Sequence, residues 1–354
     1  MEEVSSMCYN LYMSNITIIG SGVMGSAMSF PCKTNGHTVR LVGTMLDRDI
    51  ISHAKTTGYH LTLKRVLPAA VEYYQLEELE EALVDADLVI SGVSSFGVEW
   101  FAEEIIPLLP ANVPVLSVTK GLQSVKTFDA TDDALNSYPL YYSQKFPGRD
   151  FCAVGGPCTA YELADLDNTH VCFCGNNMNS LLEIKELLKT HYYHISLIND
   201  TEGLEFAVAI KNAYALVVTL AVGFSLKDGD TLHYNSQAAL FGQSIKEMRA
   251  LLSLFGHNDD NIVYGAGDLY VTVFGGRTRK LGTLLGQGFS FDAAMEQLSD
   301  TTLESVVITK RIGSAVLAKI ETGKADKKTF PLLLHIHNIV CNGIEVCIPW
   351  DSFG

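Results

Sequence analysis

The chain reads as an α/β protein. An N-terminal Rossmann-type doubly wound sheet is expected over residues 14–200 and an all-α domain over 201–354, with residues 1–13 as an extension. Three observations predict this. A β-branched run leads directly into a glycine-rich turn near the N-terminus, buried strand-like runs recur as far as residue 197, and from Glu202 onward the pattern is nearly all helical. The 354 residues also suit two domains of about 100–200 residues each.

The first strand is Asn15–Ile19, NITII, and it runs into Gly20-Ser21-Gly22-Val23-Met24-Gly25. A helix follows, then a second strand at Gly36–Val42. Strand, GxGxxG, helix and strand within ~30 residues is the dinucleotide fingerprint in its proper setting. Gly20 permits the turn, Gly22 lets backbone approach a pyrophosphate, and Gly25 lets the helix pack against the strand. Pro31 falls inside that helix and should kink or shorten it. The acid that usually ends the second strand and holds the ribose is missing; Gly43-Thr44 stands there, with Asp47, Arg48 and Asp49 just beyond. Arg48 suits a 2′-phosphate and Asp47 a free hydroxyl, while each is also an ordinary residue for a helix start, so NAD and NADP both stay open.

Residues 45–86 hold helical pieces, and the form of Gly58–Glu72 stays open. Asp87–Ser91 is the next buried strand, Val98–Leu109 a helix, and Val113–Val118 a strand ending in Thr119-Lys120-Gly121. A lysine at the carboxyl end of a parallel strand sits where open α/β sheets bind ligands, though a solvent-facing loop lysine is the plainer alternative. Phe151–Val154 is a further strand, ending in Gly155-Gly156-Pro157-Cys158-Thr159-Ala160-Tyr161-Glu162, either a tight turn or amides offered to an anion. His170–Cys174 and His194–Leu197 are short strands around the helix Asn179–Leu188.

Glu202–Phe224, EGLEFAVAIKNAYALVVTLAVGF, is one long apolar helix with Lys211 and Asn212 at its middle. It is not read as a membrane span, because a charge at a bilayer centre costs ~2.5–3.5 kcal/mol. A buried ammonium either loses its proton or finds partners, and a structural pairing with a carboxylate is the bland account. Farther on, Gly265–Thr272 sets Asp268 and Thr272 four apart on one helical face. Gly275-Gly276-Arg277-Thr278-Arg279-Lys280 follows as a glycine-hinged cluster of three cations, fit to close on a phosphate or simply a solvated loop.

Composition narrows the partners. Hydrophobic residues make up 47% and charged residues 18%, which suits a globular chain. A net charge of −15 argues against nucleic acid and anionic membranes, so an anionic small molecule must meet a local cationic cluster. The N-terminus, MEEVSSMCYNLYMSN, carries no signal-peptide pattern. Eight cysteines include no CxxC pair and no zinc spacing, so reduced thiols, a cytoplasmic setting and no metal are expected. A homodimer is left open.

Taken in order, GSGVMG at 20–25, TKG at 119–121, GGPCTAYE at 155–162, EFAVAIKN at 205–212, GAGDLYVT at 265–272, GGRTRKLG at 275–282 and LLGQGFS at 284–290 resemble the NAD(P)-dependent glycerol-3-phosphate dehydrogenases. The resemblance covers about residues 15–345 and leans toward the prokaryotic, especially archaeal, branch. It implies interconversion of sn-glycerol 3-phosphate and dihydroxyacetone phosphate with NAD or NADP, supplying glycerol phosphate for lipids. It further implies Lys211 as general acid/base, with Lys120 and Asp268 catalytic beside it. Lys120, Gly156, Cys158, Asn212, Asp268, Thr272, Gly276, Arg277 and Thr278 would meet substrate, Arg277 at its phosphate. Gly20, Ser21, Gly22, Val23, Met24, Gly25, Thr44, Arg48, Lys120, Ala160, Arg277 and Glu304 would line the dinucleotide. Departures from the family pattern stand at Met24, Cys158, Thr278 and Ser305. They leave room for another two-domain hydroxy-acid dehydrogenase or a dinucleotide-binding regulator with impaired turnover.

Overall fold

The computed structural model describes residues 13–126, 133–298 and 303–353, so all but Met13 of the expected N-terminal extension lies outside the described residues. The chain packs as two compact units, one of residues 1–118, 160–169 and 177–195, the other of 119–159, 170–176 and 196–354.

In the first unit, strands β1 (Asn15–Ile19) and β2 (Thr38–Val42) are joined through helices α1 (Val23–Ala27) and α2 (Ser29–Thr34). The break between the helices falls at Met28, one turn before Pro31, whose missing N–H cannot reach the carbonyl of Ala27. Helix α3 (Arg48–Thr57) follows, then the segment whose form was open: a hairpin of β3 (Tyr59–His60) and β4 (Arg65–Val66), then β5 (Val71–Tyr74). After α4 (Leu79–Ala82) comes β6 (Leu88–Ser91), buried throughout.

The single helix expected over Val98–Leu109 is a correction. Helix α5 spans only Val98–Trp100, widens into a π turn at Phe101–Ile105 and tightens to a 3₁₀ turn at Ile106–Leu108. Pro107 has no N–H for the carbonyl four residues back, so the regular ladder cannot continue. Strand β7 (Val115–Ser117) follows. The strands pair in parallel in the order β7-β6-β1-β2-β5, a doubly wound arrangement whose strand order reverses between β1 and β6.

The second unit begins with a hairpin that the sequence did not announce, β8 (Leu122–Lys126) with β9 (Asp133–Ser137), and helix α6 (Tyr138–Lys145). Strand β10 (Phe151–Gly155) pairs antiparallel with β11 (Thr169–Gly175), with α7 (Ala160–Ala164) between them in sequence. Helix α8 (Met178–Leu188), which like α7 belongs to the first unit, and strand β12 (Tyr193–Ile198) lead in sequence to α9 (Thr201–Lys227) of the second.

Helix α9 is the axis of the unit. It is long and apolar enough to cross a membrane, yet 94% of its most apolar window is buried within the protein, so it is a core helix. Around it pack α10 (Tyr234–Leu254), α11 (Ile262–Thr272) and α12 (Gly276–Gly286). Helix α13 (Phe291–Glu296) leads on to α14 (Glu304–Glu321) and α15 (Pro331–Asn342), which also pack on α9. Gly223 of α9 meets Gly286 of α12 with no room for side chains, and one turn away Gly282 of α12 packs on Thr219 and the Leu216 carbonyl of α9. A Cβ at Gly286 would lie 2.1 Å from the Leu220 carbonyl oxygen, and one at Gly223 would lie 2.2 Å from that of Thr283.

Candidate active site

The glycine-rich turn of the first unit lies at the point where the strand order reverses. Gly20 takes φ +102°, and a Cβ there would strike the backbone of Gly92 at 2.7 Å. A Cβ on Gly25 would sit 2.1 Å from the Gly20 carbonyl oxygen. Three backbones therefore interlock, and Gly92, just after β6, is a member of the cradle that the motif alone did not include. Gly22 faces open space and starts α1 with no side-chain cap, leaving amides for an anion. These residues fit a dinucleotide pyrophosphate, with Ser21, Val23 and Met24 forming the same turn. Sequence reasoning also missed His60. Its Nδ1 accepts from Leu63 N at 3.0 Å, so Nε2 carries the proton and donates to the Ser21 carbonyl at 2.8 Å. Burial lowers the His60 pKa, in keeping with this neutral form.

At the end of β2 neither charged side chain stands free. Asp47 Oδ2 accepts from Thr44 N at 2.9 Å, Thr44 Oγ1 at 2.8 Å and Ser21 N at 3.2 Å, bracing one loop against the other. Arg48, the first residue of α3, is in a close ion pair with Glu77. Ala160 opens α7, which packs on α1.

In the second unit one carboxylate gathers two lysines. Lys211 Nζ donates to Asp268 Oδ1 at 2.7 Å and to Thr272 Oγ1 at 2.9 Å. Lys120 Nζ donates to Asp268 Oδ2 at 2.6 Å and to the Gly156 carbonyl at 2.8 Å. Thr272 Oγ1 in turn donates to the Asp268 carbonyl. Lys211 arrives from the middle of α9, Asp268 and Thr272 from one face of α11, and Lys120 from the loop before β8. Gly156 turns its carbonyl toward Lys120 with φ +96°, a conformation few residues other than glycine adopt. Asp268 is 2% exposed and Lys211 8%.

The two amines differ in proton affinity. Burial pulls Lys211 below the usual lysine range; Asp268 opposes this, and the charge on Lys120 adds to it. Burial works on Lys120 in the same direction, but attraction to Asp268 and their hydrogen bond outweigh it, so its pKa rises. One ammonium is thus a fixed cation and the other the readier proton donor.

Asn212 follows Lys211, is buried, and makes no side-chain hydrogen bond among the described residues. Cys158 is half-buried. Glu304 opens α14 beside Gly121, where a Cβ would lie 2.9 Å from its Oε1. The basic cluster differs from the expected loop. Gly276, at φ +80°, starts α12, so Arg277 and Thr278 lie in its first turn. Arg277 is exposed, whereas Arg279 donates to the Val273 carbonyl at 2.7 Å and ties α12 to the end of α11. Glu205 was not singled out from sequence. It is fully buried on α9, its oxygens have no hydrogen-bond partner among the described residues, and burial raises its pKa well above the carboxylate range. An acid six residues before Lys211 in an apolar run was the available signal.

Known proteins match both halves. The family model for the NAD-dependent glycerol-3-phosphate dehydrogenase N-terminus matches residues 15–181, and that for the C-terminus matches residues 200–348. An NADP(+)-dependent glycerol-3-phosphate dehydrogenase of Archaeoglobus fulgidus is 31% identical over 94% of this chain and 96% of its own. A glycerol-3-phosphate dehydrogenase [NAD(P)+] of Bacillus cytotoxicus is 25% identical over 94% and 93%. Among solved structures, the glycerol-3-phosphate dehydrogenase of Coxiella burnetii shares the fold at a TM-score of 0.77, with 22% identity over 96% of this chain and 98% of its own. With a relative of this identity spanning nearly the whole chain, the protein is a member of the NAD(P)-dependent glycerol-3-phosphate dehydrogenase family.

Proposed function

We propose that the chain interconverts sn-glycerol 3-phosphate and dihydroxyacetone phosphate, with Lys211 as the general acid/base. The observation that carries this reading is the sharing of Asp268 by Lys211 and Lys120 in a buried site. The nicotinamide cofactor supplies a hydride to the carbonyl carbon in one direction and accepts it in the other. In the reducing direction, negative charge gathers on the carbonyl oxygen. Lys120, held as a cation, stabilises that charge, and Lys211 passes its proton to the oxygen; in the oxidising direction neutral Lys211 takes the hydroxyl proton back. Asp268 and Thr272 hold the Lys211 amine in place through both halves of the cycle. Asn212 offers its amide to a substrate oxygen.

The substrate phosphate goes to the first turn of α12, where Arg277 adds its guanidinium to the backbone amides near Gly276 and Thr278. Anchoring the phosphate fixes the carbonyl for hydride transfer, and such positioning contributes several kcal/mol. The substrate-facing turn also includes Gly156 and Cys158. The dinucleotide lies over Gly20–Gly25 in the first unit, with Thr44, Arg48 and Ala160 along its length. The free state of the described cysteines supports a cytoplasmic setting.

An absorbance assay at 340 nm with dihydroxyacetone phosphate, run once with NADH and once with NADPH, tests the reading. Oxidation of one or both cofactors is expected. No turnover with either, in a protein that binds the dinucleotide, would overturn it.

A further inference from the structure

Arg48 is the residue best placed to meet a 2′-phosphate, and the structure gives it a competitor. The ribose site of a doubly wound sheet lies beyond the carboxyl end of its second strand. Here that end is fixed from the side by the neighbouring strand, with Gly43 N donating to the Tyr74 carbonyl at 3.0 Å. Three residues beyond Tyr74 stands Glu77, which forms the ion pair with Arg48. The backbone on both sides is pinned. Gln75 donates its side-chain amide to the Arg48 carbonyl at 3.2 Å and to Ser52 Oγ at 3.1 Å. Glu78 Oε2 accepts from Gln75 N at 2.7 Å, completing a capping box. Glu77 is therefore not a stray surface acid that happened upon an arginine. Its turn is tied by Gln75 to the first turn of α3.

We propose that Glu77 sets the discrimination between NADP and NAD, by occupying the Arg48 guanidinium and placing a negative charge where a 2′-phosphate would go. The proposal rests on the reading of the first unit as the dinucleotide site. Asp47 is not an equivalent competitor, because its Oδ2 is engaged by Thr44 and Ser21. A 2′-phosphate must displace Glu77 and then sit beside its carboxylate, whereas a ribose 2′-hydroxyl suffers neither cost. Both side chains are more than half exposed, so the pair itself adds little to stability, and removing it leaves the fold intact.

The test measures dissociation constants for NADPH and NADH by protein-fluorescence quenching, with no substrate present, on the wild type, Glu77→Gln, Arg48→Ala and the double variant. Glu77→Gln should tighten NADPH by about fivefold or more and leave NADH within about twofold. In the Arg48→Ala background the same substitution should have a clearly smaller effect on NADPH, since part of its cost acts through the guanidinium. Equal changes for the two cofactors, or no change, would overturn the proposal while leaving dinucleotide binding established. Failure of the wild type to bind either cofactor would instead overturn the reading of the first unit.

Discussion

Two buried carboxylates in the helical unit receive partners from the same helix, yet their surroundings give them opposite work. Asp268 receives Lys211 of α9, and Glu247 of α10 receives the Tyr214 hydroxyl of α9 at 3.1 Å, three residues farther along. Among the described residues the hydrogen-bond partners of Glu247 are neutral: besides Tyr214 they are Leu332 N and Leu333 N at 2.9 Å each and Gln243 Nε2 at 3.1 Å. Those two amides belong to the first turn of α15, which has no cap from Phe330, so Glu247 closes a helix end. Asp268 instead holds two amines, each also hydrogen-bonded to a second group. A carboxylate surrounded by fixed neutral donors binds elements together, and one surrounded by amines keeps protons available.

The sharpest way to break this comparison is to remove the amine. Lys211→Ala should cut turnover on the order of 10²-fold or more while dinucleotide affinity holds, whereas Glu247→Gln should leave turnover near normal. Steady-state rates and fluorescence titrations of both variants would check it, and a normal Lys211→Ala rate would remove Lys211 from the chemistry. Next in size is Arg277→Ala, which should raise KM for the phosphorylated substrate about tenfold or more with a smaller change in kcat. An unchanged KM would take the phosphate away from α12.

Protonation sharpens the contrast further. Burial pushes Glu247 up to about 7, above its unfolded value, so the folded form binds the proton more tightly. Its contribution to stability is therefore full below about 4.5 and declines as pH rises to about 7. Denaturant unfolding between pH 5 and pH 8 should show that decline in the wild type and a flatter profile in Glu247→Gln. Lys211 has the reverse kind of shift, lowered by burial and by Lys120. Reduction needs the ammonium, so its rate should fall on the alkaline side below the usual lysine range. Lys120→Gln removes a repelling charge and should move that limb upward in pH, the smallest of these effects, read from kcat against pH.

The parts of the molecule differed in how far their residues announced them. Strand β6 and helix α9 were legible because near-complete burial leaves apolar runs, and β1 and β2 because they flank the glycine-rich turn at the fingerprint spacing. Lys211, Asp268 and Thr272 were legible because polar groups in such runs need a reason to be there. The β8–β9 hairpin was not, since its strands are short and mixed in polarity, and the linking TFDATD carries no glycine or proline. Nor was the π turn after α5, where Pro107 acts on carbonyls behind it rather than on its own position. Gly92, His60 and Glu77 escaped notice for a common reason: each acts on a partner more than twenty residues away, which no local pattern can encode.

The side-chain-free contact between Gly223 of α9 and Gly286 of α12 has a mechanical consequence. Arg277 and Lys211 ride on two rods clamped main chain to main chain, like the jaws of a caliper locked at one opening. If the first jaw grips phosphate and the second delivers the proton, backbone sets the span between them, so the length of molecule the enzyme accepts is fixed far from where it binds.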